Sequence, residues 1–171
     1  LGSTLTCRPD SPDGTPLPSA AHSRTWSCNP AMTNLAERIT AELQTLVGQP
    51  LSDCWRAADM QVFEFGPPRT YLNRKGQEVQ GSDVRLHVHC RWRLVDATRI
   101  LFGRDDLLRP ADEQIPIDEF DWDNDESALD AARREWTARH RDRPLNVLNA
   151  TGDRYGGCRI ELEDHVALEL F

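Results

Sequence analysis

Lysine is nearly missing from this chain: of its 20 basic residues only Lys75 is lysine. Arginine pairs bidentately where lysine does not. A bias spread over the whole chain, however, points to a GC-rich, bacterial coding sequence rather than to a site. No apolar run nears the ~20 residues that a membrane-crossing helix needs. No two of the five cysteines form a C-x-x-C pair, which excludes a zinc ribbon or a thioredoxin-like motif. Their number is odd, and Cys90 alternates with apolar neighbours as an inert core thiol does, so a reducing cytoplasm is expected. G-x-S-x-G is absent. The glycine-rich stretch Ala150–Gly157 lacks both the Lys-Ser/Thr of a P-loop and the spacing of a dinucleotide fingerprint, and reads as a turn. Positive charge is short as well. A net charge of −8 and a pI near 5.1 argue against nucleic acid, whose phosphates need a basic surface. They fit another protein as partner, and a basic one.

What the sequence does hold is enough for one folded domain: 171 residues, 39% hydrophobic and 28% charged. Residues 1–31 differ from the rest. They contain five of the eleven prolines, many Ser and Thr, and no hydrophobic periodicity, the composition of a flexible leader. Met32 directly precedes a well-formed helix. The expectation is therefore an upstream or added leader over 1–31, and a single domain over 32–171 that carries all of the excess negative charge.

Two helices are expected, one from Asn34 to Val47 behind an N-cap at Thr33, and one from Ser127 to Arg141 behind a Ser127/Asp130 capping box. Period-two alternation marks strands at Met60–Phe65, Val84–Val95, Thr98–Phe102, Leu145–Leu148, Cys158–Glu163 and Val166–Leu170. Keeping apolar pairs together sets Leu94 opposite Ile100 and Trp92 opposite Phe102. It likewise sets Leu162 opposite Leu168 and Ile160 opposite Leu170. The fold class expected is α+β: an antiparallel meander of five or six strands, with both helices packed on one face.

"VRLHVHCRWRLV", Val84 to Val95, raises the main chemical question. Val84, Leu86, Val88, Cys90, Trp92 and Leu94 share one face; Arg85, His87, His89, Arg91 and Arg93 share the other. His87 and His89 are spaced to hold one zinc or iron ion, with His165, Glu161 or Glu64 as a third ligand. The cupin version of that pattern fails, because Arg93 and Leu94 stand where its glutamate would be. The competing reading is a solvated face whose arginines are answered by acids across the sheet, from Glu161, Glu163 and Glu169. In "FDWDNDE" the aspartates 121, 123 and 125 invite calcium. An EF-hand loop would need glycine and glutamate where Glu126 and Ala132 stand, so an acidic helix N-terminus is expected instead. Phe120 and Trp122 make this segment a contact loop, since aromatic residues are enriched in interfaces.

The stretch "LHVHCRWRLVDATRILFGRDDLLRP", Leu86 to Pro110, resembles a family of small uncharacterised actinobacterial proteins with a His-bearing strand followed by a W-R pair. "IELEDHVALELF" is similar to the last hairpin of such domains. The resemblance implies no activity and gives no residue a role. The function expected is a non-enzymatic, cytoplasmic protein-binding domain of the immunity or antitoxin kind, without a cofactor and without membrane contact. The binding residues expected are Arg85, His87, His89, Arg91, Arg93, Phe120 and Trp122. The alternative is a metal-dependent or anion-binding enzyme built on His87 and His89, with Arg91 or Arg93 assisting.

Overall fold

The computed structural model describes the backbone of residues 3–7 and the whole of residues 34–171. Met32 and Thr33, and with them the expected start and the expected cap, lie outside the described residues. The first helix, α1 (Leu35–Leu43), is instead capped by Asn34, whose side chain accepts from the Ala36 N–H at 3.0 Å. It tightens into a 3-10 turn over Gln44–Leu46 and stops at Gly48, where φ is +80°. The second helix, α2 (Ala128–His140), starts at Ser127 as expected: Ser127 Oγ accepts from the Asp130 N–H at 3.1 Å and donates to Asp130 Oδ2 at 2.8 Å.

In chain order the strands are β1 (Ser3–Cys7), β2 (Leu51–Ala57), β3 (Met60–Phe65), β4 (Arg69–Leu72), β5 (Glu78–Gly81), β6 (Val84–Val88), β7 (Trp92–Val95), β8 (Ile100–Gly103), β9 (Val147–Gly152), β10 (Cys158–Leu162) and β11 (Ala167–Leu170). They make an α+β fold but not one meander. A four-stranded sheet runs β1-β6-β3-β2, a five-stranded sheet runs β8-β7-β11-β10-β9, and β4-β5 is a separate hairpin. The five-stranded sheet is antiparallel throughout, whereas β1 lies parallel to β6.

The long strand expected over Val84–Val95 is two strands in two sheets. The alternation survives the split, with Leu86, Val88, Trp92 and Leu94 buried and Cys90 packed against them. Residues 89–91 form the corner between the sheets. Arg104 clamps it, donating to the carbonyls of His89 (2.9 Å) and Asp59 (3.2 Å), and the Phe171 N–H donates to Arg91 O. The inner faces of the two sheets meet there: the Phe63 and Trp92 rings lie edge to face at 5.0 Å, and Trp92 meets Phe102 at 6.0 Å.

The helices sit at opposite edges of the five-stranded sheet. α1 packs on β9 at one edge of the five-stranded sheet, while α2 touches β8 at the other edge and β2 of the second sheet. α1 also finishes the β9 edge: Gln44 Nε2 donates to Ala150 O at 2.9 Å, and the Gly152 N–H donates to Thr40 Oγ1 at 2.8 Å. Side chains thus stand in for a neighbouring strand. The approach is so close that a Cβ on Gly152 would sit 2.5 Å from Ile39 Cβ. Among the described residues no helix is long and apolar enough to cross a membrane.

Both expected registers shift. β10 and β11 pair Ile160 with Leu168 and Cys158 with Leu170, two residues from the expected register, because the loop is the three residues Glu163–His165. A shift of two keeps every side chain on its face. In β7–β8 the turn at Asp96–Arg99 is shorter than expected and Leu101 bulges out, so Phe102, not Ile100, lies opposite Leu94. Ile100 is then 55% exposed and Phe102 3%. Ile100→Ala is expected to change stability by no more than ~0.5 kcal/mol. Phe102→Ala is expected to cost about 3–5 kcal/mol. Urea unfolding of the two variants separates this register from the unbulged one, in which Ile100 and Phe102 share the inner face and both substitutions would be costly.

Candidate functional site

The basic face of β6 and β7 is already answered. Arg85 stands directly across from Glu64 of β3 and donates to its Oε1 at 2.9 Å; it also bonds the Tyr71 hydroxyl and stacks over that ring at 5.1 Å. Arg93 stands across from Glu169 of β11, 2.6 Å away, and Arg159 takes the second Glu169 oxygen. Arg93 also lies 5.0 Å from the Phe171 ring. Arg91, at the corner, reaches Asp105 only at 3.8 Å, with both groups exposed. At Arg85 and Arg93 facing strands carry opposite charges in register, so these two arginines are engaged within the sheets.

Among the described residues His87, His89 and His165 do not form one group. His87 is half-buried on β6, and desolvation, then the charges of Arg85 and His89, lower its pKa. His89 is exposed past the end of that strand, and His165 belongs to the β10–β11 turn of the other sheet. Among the described residues no three His, Cys, Asp or Glu side chains converge as a metal would need. Cys54 and Cys90 are free thiols. Burial pushes Cys54 up to about 11, far from a nucleophile's range.

The acidic segment is the feature that emerges instead. Residues 111–126 contain eight acids and no basic residue, as much negative charge as the whole chain has in excess. They form one loop whose ends are tied together by a bridge from Pro110 to Ser127. Two hydrogen bonds reinforce the tie: Ala111 N–H to Glu126 O at 2.9 Å and Ala128 N–H to Arg109 O at 2.8 Å. Trp122 is half-buried against the core and anchors the loop, while Ile117 is 70% exposed near its tip. Among the expected contact residues, then, Trp122 holds the loop down and Phe120 is half-buried beside it. Asp121 turns its carboxylate onto its own loop, accepting from Asn124 Nδ2 (2.7 Å) and the Asp123 N–H (3.0 Å); these bonds lower its pKa.

Where the loop rejoins α2, Asp130 is the hub. Arg56 of β2 grips it bidentately, 2.8 Å from Nε to Oδ1 and 2.8 Å from Nη2 to Oδ2, and Arg133 adds a contact at 3.3 Å. Arg56 also reaches Trp122 O at 3.4 Å, which ties hub to loop. The Arg56 bond, then Ser127 and the charges of Arg56 and Arg133, hold the Asp130 carboxyl well below the usual carboxylate range. Beside this hub an open cleft of about 690 Å³ lies between β2, α2 and residues 123–126.

The spacing had marked Phe120, Trp122 and the aspartates but not the hub. Arg56 lies on a strand whose alternation is broken between Leu51 and Asp53, so β2 gave no periodic signal. The chain matches no family model, no curated protein and no solved structure.

Proposed function

We propose that this chain is a non-enzymatic protein-binding domain, of the immunity or antitoxin kind, whose contact element is the loop 111–126 and whose partner is a basic protein. The observation that carries the reading is the localisation of charge: the loop's eight acids equal the chain's whole excess. Among the described residues the one cation paired to a loop acid is Arg134, on Glu126. Such a loop steers a basic partner by long-range attraction, and its tied ends limit the entropy lost on contact. Exposed Ile117 adds an apolar contact at the same place. The cytoplasm of a bacterium suits this reading, given the free thiols of Cys54 and Cys90 and the arginine-for-lysine bias.

The test neutralises the loop without cutting it. Asp118→Asn, Glu119→Gln and Asp123→Asn are combined, sparing Asp121 and Asp125, which hold the loop's own turn. The wild-type chain should retain a basic protein from its own cell extract, and raising salt should release it. The neutralised variant should bind at least tenfold more weakly with unchanged folding, each lost charge contributing a few tenths to 1 kcal/mol or so. Equal retention by both chains, or no retained protein, removes the reading.

A further inference from the structure

Five carboxylates and four arginines line the cleft, which leaves one negative charge in excess. Asp130 engages Arg56 and Arg133, and Glu126 engages Arg134. Asp53, Asp123, Asp125 and Arg141 line the same space, and among the described residues no ion pair joins any of them to another group. Asp53 is in the least comfortable position. The β2–β3 register sets it directly opposite Glu64, a like-charge pair on one face of the sheet. The protein packed around it, and then Glu64, raise its pKa.

The wall also holds an aromatic ring. Trp55 lines the cleft half-buried, and its Nε1–H donates to Glu64 Oε1 at 3.0 Å, which fixes the indole in place. A cavity that combines a fixed indole with one carboxylate more than its arginines, and with three carboxylates outside any ion pair, has the chemistry of a guanidinium receptor. The ring face attracts a cation, and a planar fork can bridge carboxylates that a point charge would meet singly.

We propose that this cleft receives one arginine side chain of the basic partner, with the guanidinium among Asp53, Asp123 and Asp125 and its stem along Trp55. The inference rests on the loop reading above and names the anchor residue of the same contact. It makes the cleft the central pocket and the loop its rim, the arrangement in which one buried anchor dominates binding.

The experiment uses the full chain and two capped tripeptides, Gly-Arg-Gly and Gly-Gln-Gly. The Trp55 indole N–H resonance, identified by its loss in Trp55→Phe, is followed by NMR during each titration. The arginine peptide should shift it saturably and the glutamine peptide should not. Asp53→Asn should weaken that binding about tenfold, the loss of one charge-assisted contact, with an unchanged thermal midpoint. No saturable shift, an equal response to both peptides, or undiminished binding by Asp53→Asn overturns the proposal. So does calcium chloride alone reproducing the shift, which would make the cleft a metal site. The two readings fail separately. If Asp53→Asn keeps the partner that the neutralised loop loses, the pocket falls and the loop stands.

Discussion

Asp130→Ala should lower the stability of the whole domain by about 2–4 kcal/mol, among the largest losses for any single polar side chain here. Three consequences combine. Arg56 and Arg133, 18% and 24% exposed, lose their shared carboxylate, and an unpaired, largely buried guanidinium is costly. Ser127 loses the acceptor of its hydroxyl, though not the backbone N–H it caps. The loop loses its tie through Arg56 to Trp122. Because water reaches all three charged groups in part, the loss falls short of that for a fully buried pair. The same carboxyl sets an acid limit. Its folded pKa is depressed, so its contribution is complete above the unfolded aspartate value, near ~3.9, and disappears as pH falls below that value. Urea midpoints measured from pH 7 down to 2.5 should show wild type well above Asp130→Ala at neutral pH and the two converging in acid. A constant gap across that range contradicts the assignment.

Trp92→Ala should be still more damaging, about 4 kcal/mol. Trp92 is 3% exposed and is the ring through which the two sheets meet, edge to face with Phe63 on one side and Phe102 on the other. Its removal leaves a cavity at the seam and breaks two aromatic pairs, each contributing roughly 0.5–1.5 kcal/mol beyond area. Trp92→Phe keeps a ring at the seam and should lose about half as much. A domain of this size holds ~5–15 kcal/mol in total, so the alanine variant should lie close to unfolding at 37 °C. The check is chemical denaturation of both variants followed by circular dichroism. A Trp92→Ala loss below 1 kcal/mol would mean that the sheets do not pack through this ring.

Trp92 also shows how far the sequence reaches. The alternation from Val84 to Leu94 sorts inward from outward side chains correctly on both sides of the corner, because period two reports the face a residue takes and not the sheet it joins. The sheet switch at residues 89–91 depends on Arg104 and Phe171, fifteen and eighty positions away, which no local pattern contains. β2 escapes notice because its bulge interrupts the period, and β4 because all four of its residues are exposed. The capping of α2 is legible because Ser127 and Asp130 lie within one turn. The Asp130 hub is not, since Arg56 stands seventy-four positions from its partner. The arginine stripe shows the same division. Its polarity is written in the sequence, but its neutralisation by Glu64 and Glu169 comes from strand order.

The claim that most needs a direct measurement is that the loop is the contact element. Amide hydrogen exchange, read by mass spectrometry on the chain alone and on its complex with the retained partner, addresses it at peptide resolution. Peptides covering 111–126 and the adjoining 53–56 should exchange more slowly in the complex, with the inner strands β10 and β11 unchanged. Protection confined to β10 and β11, with 111–126 exchanging at its free rate, would place the contact elsewhere and contradict the account.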